Sequence, residues 1–192
     1  MKNYQKNLEL LSKNHIYSKE MEHDACGVGL IASTEGKKSR QVVEYGVEAL
    51  KAVWHRGAVD ADGKTGDGAG IHLEIPKDFF IEKIQVTGHD YDHSEICVGM
   101  IFLPRNDYSA QESCKTIVES ELTKNNFSIY GWRQVPVNPK VLGEKALQTM
   151  PEIIQVLFKS NDQNLFDKDL ERKIYETRKK IENKAFDLSL ND

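Results

Sequence analysis

The residues best suited to chemistry lie in Glu22-His23-Asp24-Ala25-Cys26-Gly27-Val28-Gly29-Leu30-Ile31. A thiol stands between a polar leader and a glycine-spaced apolar run that reads as a strand. Gly27 and Gly29 allow close backbone approach to a ligand. If Cys26 became the first residue of the chain, its own α-amine would lie beside its thiol. An amine titrating near ~7.7–8.0 can take the proton of a thiol titrating near ~8.5, giving a nucleophile and base in one residue. With residues 1–25 attached, that amine is an amide and the base is lost. The competing reading is a small buried cysteine opening a core strand, since free cysteine is among the most buried residue types.

Two further constellations could carry chemistry. Trp54-His55-Arg56-Gly57-Ala58-Val59-Asp60-Ala61-Asp62-Gly63 runs into Lys64-Thr65-Gly66-Asp67-Gly68-Ala69-Gly70-Ile71. Arg56 could order a catalytic loop through its several donors. Equally, it could be a basic residue at a helix C-terminus followed by a solvated acidic turn. A phosphate loop is disfavoured, because the glycines lack a Lys-Ser/Thr ending and lead into a strand-like segment. His89-Asp90-Tyr91-Asp92-His93 places two histidines at metal-ligand spacing. Its polarity and the preceding Gly88 favour a solvated loop.

These residues need a scaffold, and composition bounds it. The chain has 192 residues, 39% of them hydrophobic, and a formal net charge of −4. That is enough for one domain with a core and a polar arm, without the basic excess expected of a nucleic-acid binder. No apolar run approaches the ~20 residues of a membrane span. Lys2, Lys6, Lys13 and Lys19 break up any secretion signal. Cys26, Cys97 and Cys114 are an odd set without metal spacing, which suits a reducing cytoplasm.

Along the chain, residues 1–25 form a weakly amphipathic arm or a removable leader. A first strand closes at Leu30–Ser33, and residues 33–38 form a turn. Val43, Val47, Leu50 and Val53 recur at helical spacing, predicting a helix from Arg40 to His55 with Gly57 as its stop. Ile71–Ile75 alternates like a half-buried strand ended by Pro76. Residues 82–95 read as a loop or hairpin. The nearly all-apolar Ile96–Leu103 suggests a central strand covered on both faces. Ser109 and Glu112 have capping-box spacing and open a helix burying Cys114, Ile117, Val118 and Leu122, ending near Asn125-Asn126. Strands are expected at Phe127–Val137 and Ile153–Phe158, a short helix at Pro139–Met150, and a charged helix at about residues 168–186. The class is α+β, with elements for two packed sheets between helical layers.

HDACGVGLIA, ALKAVWHRGAVDADGKTGDGAGIHLEIP, VGMIFLP, YGWRQVPVNPKVLGEKAL and LERKIYETRKKIE, in this order, resemble the N-terminal glutaminase domain of glutamate synthase large subunits, a class II glutamine amidotransferase. The resemblance runs from about residue 21 onward. It implies a four-layer αββα sandwich of the N-terminal-nucleophile hydrolase type, here C-terminally truncated. Residues 1–25 would be a leader and residues 26–192 a partial amidotransferase domain. Cys26 matches the nucleophile that attacks the side-chain amide of glutamine, and Gly27 the residue after it. Arg56 and Gly57 match an ordering element beside the nucleophile. Asp67 and Gly68 match the family signature without an assigned step.

The implied reaction releases glutamate and ammonia through a cysteine thioester. In the full enzyme the ammonia is used for reductive glutamate synthesis from 2-oxoglutarate. No cofactor is expected in this chain; FMN and an iron–sulfur cluster are implied for the full-length enzyme. Implied partners are glutamine, the remainder of the large subunit and a small NAD(P)H-dependent subunit, with no nucleic acid and no membrane. The electron donor stays open between NADPH, NADH and ferredoxin, the pattern favouring NADPH. In the family, the Asn-Gly oxyanion pair and the Arg and Asp that grip glutamine lie beyond the position of Asp192. The chain by itself is therefore expected to hold the nucleophile with negligible glutaminase activity, since one lost oxyanion donor already costs ~10²–10³ in rate. The alternative is a stand-alone, non-catalytic module or relic that binds a partner.

Overall fold

A computed structural model describes Lys6 and residues 27–53 and 57–188. Cys26, Arg56 and, apart from Lys6, the expected leader over residues 1–25 lie outside the described residues. The chain divides into two units: residues up to Val59 with Gly66–Ile71, and Asp60–Thr65 with everything from His72.

In the first unit, Ser39 caps helix α1 (Arg40–Ala52) by accepting the Val42 N–H at 3.4 Å, and Arg40 reaches Glu44 one turn on at 3.1 Å. The expected turn precedes it, with the Gly36 N–H donating to the Ser33 carbonyl and Gly36 at φ +66°. The helix is shorter than its apolar spacing predicts. Val53 takes φ −93°, ψ 10° and closes it, so Gly57 is not its stop but lies in a separate bend. The predicted strand over Leu30–Ser33 does not form. Val28 and Leu30 are 92% and 90% exposed, and among the described residues no strand pairs with their backbone groups. The predicted strand Ile71–Ile75 is also absent, and its residues are exposed coil. Alternation specifies which side of a strand is buried, but it cannot supply a neighbour.

In the second unit, Pro76, expected to end a strand, instead precedes a helix that runs into the loop expected from residue 82. Helix α2 (Lys77–Val86) has Asp78 in its first turn and buries Phe80 and Ile84, four residues apart on one face. Strand β1 (Cys97–Leu103) follows the loop. Asp107, not the expected Ser109 box, caps helix α3 (Tyr108–Lys124) by accepting the Ala110 N–H at 2.9 Å. Strand β2 (Phe127–Gln134) follows the expected stop at Asn125-Asn126, with Asn126 at φ +65°. The predicted helix Pro139–Met150 resolves into a 3₁₀ turn (Pro139–Val141) and helix α4 (Glu144–Gln148). Strand β3 (Glu152–Ser160) and helix α5 (Asp167–Asp187) complete the unit.

The three strands form an antiparallel sheet in the order β1-β3-β2. The continuous apolar run of β1 predicted a central position, but β1 is at an edge: Cys97 and Leu103 are buried while Met100 and Phe102 are exposed. The central place belongs to β3, whose Ile154–Phe158 are buried without interruption. Alternation along β3 divides the core. Val156 and Phe158 join Cys97, Val118, Leu122, Phe127 and Leu170 under α3 and α5. Leu157 faces the other way, into Phe80 and Ile84 of α2, Ile96 and Tyr130. A bulge at Ile129/Gly131 sets Tyr130 and Gly131 against Leu157 and turns the Tyr130 ring to the α2 side. Glu121, buried on α3, takes hydrogen bonds from Lys184 of α5 and from Lys124, and these hold its carboxyl below the ordinary range. The second unit is thus α+β, with helices on both sides of one small sheet.

Candidate active site

Of the six candidate residues, Gly27, Gly57, Asp67 and Gly68 are described, and all four are exposed. Two of the segments meet. The Ala58 N–H, directly after Gly57, donates to Asp67 Oδ2 at 2.8 Å. Next to it, Val59 and Gly66 form an antiparallel bridge, and a Cβ on Gly66 would stand 3.3 Å from the Ala58 carbonyl oxygen. Gly68 then takes φ +87°, a conformation that side-chain-bearing residues rarely adopt. Asp67 therefore has a local task, fixing the backbone one residue beyond Gly57. Cys26 and Arg56 lie outside the described residues, and no described contact joins Gly27 to the others.

Asp60–Thr65, in the second unit, is a turn built from backbone carbonyl and carboxylate acceptors. The Asp60 N–H donates to the Thr65 carbonyl at 2.7 Å, and the Gly63 N–H to the Asp60 carbonyl at 2.9 Å, with Gly63 at φ +69°. Asp62 Oδ1 accepts from the Lys64 and Thr65 N–H groups at 2.9 and 2.7 Å. Its Oδ2 accepts the Thr65 hydroxyl at 2.6 Å. These bonds, led by that hydroxyl, favour the charged form and hold the Asp62 carboxyl well below the usual carboxylate range. Asp60 is also held low, first by the hydrogen bond from Lys145, then by the Ala61 N–H and the Lys145 charge.

The same unit grips this turn from far along the chain. Lys145 Nζ lies 2.6 Å from Asp60 Oδ2, and its own pKa is raised by that hydrogen bond. Thr65 Oγ1 accepts the Ala146 N–H at 3.4 Å. Gly143, the N-cap of α4, has no side chain to satisfy that first turn, so a threonine eighty-one residues before Ala146 does it. Gly143 is itself buried against the turn. A Cβ there would sit 2.5 Å from the Thr65 backbone nitrogen and nearer still to Thr65 Oγ1 and Asp62 Oδ2. Gly143 and Lys145 were not legible as partners of the acidic turn. Their only sequence signal was that VLGEKAL belongs to the same resemblance.

The His89–His93 segment is a loop, and its central carboxylate is committed to the fold. Asp92 accepts from the Tyr130 hydroxyl at 2.8 Å, from Lys159 and from the Ser94 N–H at 3.2 Å. The His93 ring packs edge-on to Tyr91 at 5.3 Å. Among the described residues, no group of three or more His, Cys, Asp or Glu could hold a metal ion. None of the described helices is long and apolar enough to cross a membrane.

A family model described as Glutamine amidotransferases class-II matches residues 26–192. The chain is 49% identical over 189 residues to the glutamate synthase (NADPH) large chain of Azospirillum brasilense, covering 98% of this chain and 12% of that protein. It is 40% identical over 166 residues to the chloroplastic ferredoxin-dependent glutamate synthase of Spinacia oleracea, covering 85% of this chain and 10% of that protein. With the ferredoxin-dependent glutamate synthase of Pyropia yezoensis it shares 40% identity over 174 residues, 90% of this chain and 11% of that protein. The chain thus spans 10–12% of the length of these curated relatives.

Proposed function

The chain belongs to the class II glutamine amidotransferases, and from that premise we propose that it is the glutaminase part of a glutamate synthase. Cys26 is its nucleophile, unmasked by removal of residues 1–25. The observation that carries this is that the family match opens at Cys26, a residue that can be nucleophile and base together once it heads the chain. The freed α-amine of Cys26 takes the thiol proton. The sulfur attacks the side-chain carbonyl carbon of glutamine, and the C–N bond breaks as that proton passes to the leaving nitrogen. Ammonia departs from a glutamyl thioester. Water then cleaves the C–S bond, restoring the thiol and releasing glutamate.

The other candidates act by position. Gly27 keeps the approach to the sulfur open, and Arg56 with Gly57 orders the neighbouring loop. Asp67, through the Ala58 N–H, fixes the backbone that follows Gly57. Gly68 supplies the left-handed turn beyond it. The domain is residues 26–192, part of an N-terminal-nucleophile sandwich whose second sheet is not among the described residues. In the full enzyme, ammonia from this site supports reductive glutamate synthesis from 2-oxoglutarate. FMN, an iron–sulfur cluster and the small NAD(P)H-dependent subunit belong to that larger assembly, and no step above passes through them. The higher identity to an NADPH relative than to the ferredoxin-dependent ones favours NADPH as electron donor. The free thiols Cys97 and Cys114 fit a reducing cytoplasm.

The test is mass spectrometry of the chain expressed together with the remainder of the large subunit, which supplies the residues that grip glutamine, before and after exposure to a diazo-ketone analogue of glutamine. A chain beginning at Cys26, with the label on that residue and blocked by excess glutamine, is the expected result. An intact Met1 terminus with no label would sink the proposal and favour a non-catalytic module.

A further inference from the structure

The Asp60–Thr65 turn is the covalent link between the segments that carry Gly57 and Asp67, and its own two ends are closed by the Asp60 N–H on the Thr65 carbonyl at 2.7 Å. Inside the turn Asp62 takes only local hydrogen bonds, from the Lys64 and Thr65 N–H groups and the Thr65 hydroxyl. The contacts that reach elsewhere come from one short stretch, Gly143–Ala146. Three independent features meet there. The Lys145 ammonium pairs with Asp60 at 2.6 Å. The Thr65 hydroxyl donates to Asp62 while accepting the Ala146 N–H. Gly143 is buried where any Cβ would collide with the Thr65 backbone.

The geometry points to Gly143–Ala146 as a clamp on the candidate glutaminase loop, with Lys145 and Gly143 as positioning residues for it. This rests on the function proposed above. The clamp is reciprocal. Thr65 completes the first turn of α4, which has no cap of its own, so the turn and the start of α4 are ordered together. Lys145 reads the charge of Asp60 and gives direction. Gly143 sets the distance, because the turn seats only against a bare backbone. The anchor comes from far along the chain, and that allows the loop to be glycine-rich, as ligand approach requires, without being loose.

Trypsin supplies a readout independent of activity, since Lys64 is exposed at the tip of the turn. The variants are Lys145→Met, Asp60→Asn, Lys145→Arg and Gly143→Ala, compared by the rate of cleavage after Lys64 under native conditions. Loss of an exposed ion pair should speed cleavage about threefold in Lys145→Met and Asp60→Asn. Lys145→Arg, which keeps the charge, should stay near wild type. Gly143→Ala, by overpacking against backbone, should speed it about tenfold. In parallel, with the chain joined to the remainder of the large subunit, the limiting rate of Cys26 labelling by the diazo-ketone should fall in Lys145→Met and recover in Lys145→Arg. Labelling by iodoacetamide, which needs no positioned loop, should not change.

Unchanged cleavage after Lys64 in both Lys145→Met and Asp60→Asn would overturn the clamp. So would faster cleavage with an unaltered diazo-ketone rate, which would make the contact merely structural. If wild-type Cys26 takes no diazo-ketone at all, the proposed function fails, and the positioning role for that reaction falls with it. The cleavage rates would still show whether the stretch restrains the turn.

Discussion

Replacing Leu157 by alanine tests whether α2, which the sequence pattern did not reveal, covers the sheet. Leu157 is 0% exposed and lies on the central strand, opposite Val98 on one side and Gly131 on the other. Its side chain contributes to a cluster with Phe80 and Ile84 of α2, Ile96 and Tyr130. Removing three carbons forfeits ~2.4 kcal/mol of transfer free energy at ~0.8 kcal/mol each. The neighbours are a helix face and two strands held by ladder bonds, so they can close only part of the cavity. A further ~0.5–1.5 kcal/mol follows, for a total of ~3–4 kcal/mol. Phe102→Ala is the control, because Phe102 is 63% exposed on the same sheet and should cost less than ~1 kcal/mol. The assay is urea unfolding followed by the fluorescence of Trp132, which packs against the core. With a slope of ~2 kcal/mol/M, the Leu157→Ala midpoint should fall by ~1.5–2 M. A fall below ~0.5 M, or one equal to that of Phe102→Ala, would mean that α2 does not pack on this face.

Other consequences can be measured in the same preparations. Gly131 stands at φ +149°, and a Cβ there would meet Thr87 Cγ2 at 2.8 Å; Gly131→Ala should lose about 2 kcal/mol by urea titration, partly restored by Thr87→Ser, which removes that methyl. The Asp92 carboxyl is held well below its usual range, first by the hydrogen bond from Lys159, with Tyr130 and Ser94 adding to it. Its folded pKa is thus lower than its unfolded one, so its stabilisation is complete above the unfolded value of ~3.9 and is lost as pH falls from there. Asp92→Asn should therefore flatten the acid limb of a stability–pH curve below pH ~4, and an unchanged limb would count against the network. The Cys97 thiol is pushed up to about 12, by burial first and then by Glu95 and Glu171. Iodoacetamide at pH ~8 should leave Cys97 unmodified in the native protein and alkylate it readily in urea, as read by peptide mass.

Local signals were legible wherever one segment could satisfy its own needs. The Ile117, Val118 and Leu122 stripe of α3, the Asn125-Asn126 stop, strands β2 and β3 and the charged α5 follow from short-range spacing and match within a few residues, whereas the cap of α3 is Asp107 and not Ser109, and Cys114 is only half-buried. What failed depended on partners. Leu30–Ser33 and Ile71–Ile75 have strand-like patterns without a neighbouring ladder, and both remain coil. Ile96–Leu103 does make a strand, but its rank in the sheet was decided by β3, more than fifty residues on. Helix α2 was hidden because only Phe80 and Ile84 are buried in it, too few to stand out beside Lys, Glu and Gln. At the candidate site, Asp67, Gly57 and Gly68 were recognisable as a signature, but the bond from Ala58 that explains Asp67 was not. Lys145 and Gly143 act across about eighty residues, where no periodicity operates.

The strand order β1-β3-β2 also dictates a schedule for the growing polypeptide. Neither outer strand can pair until the last of the three leaves the ribosome, and the interval from Cys97 to Ser160 takes about 3–13 s of elongation. Throughout that window Met100, Ile101 and Phe102 wait without their hydrogen-bonding mate, beside a nascent α3 that can coil on its own. Chaperone capture during translation should concentrate on that interval and end when residue 160 clears the exit tunnel.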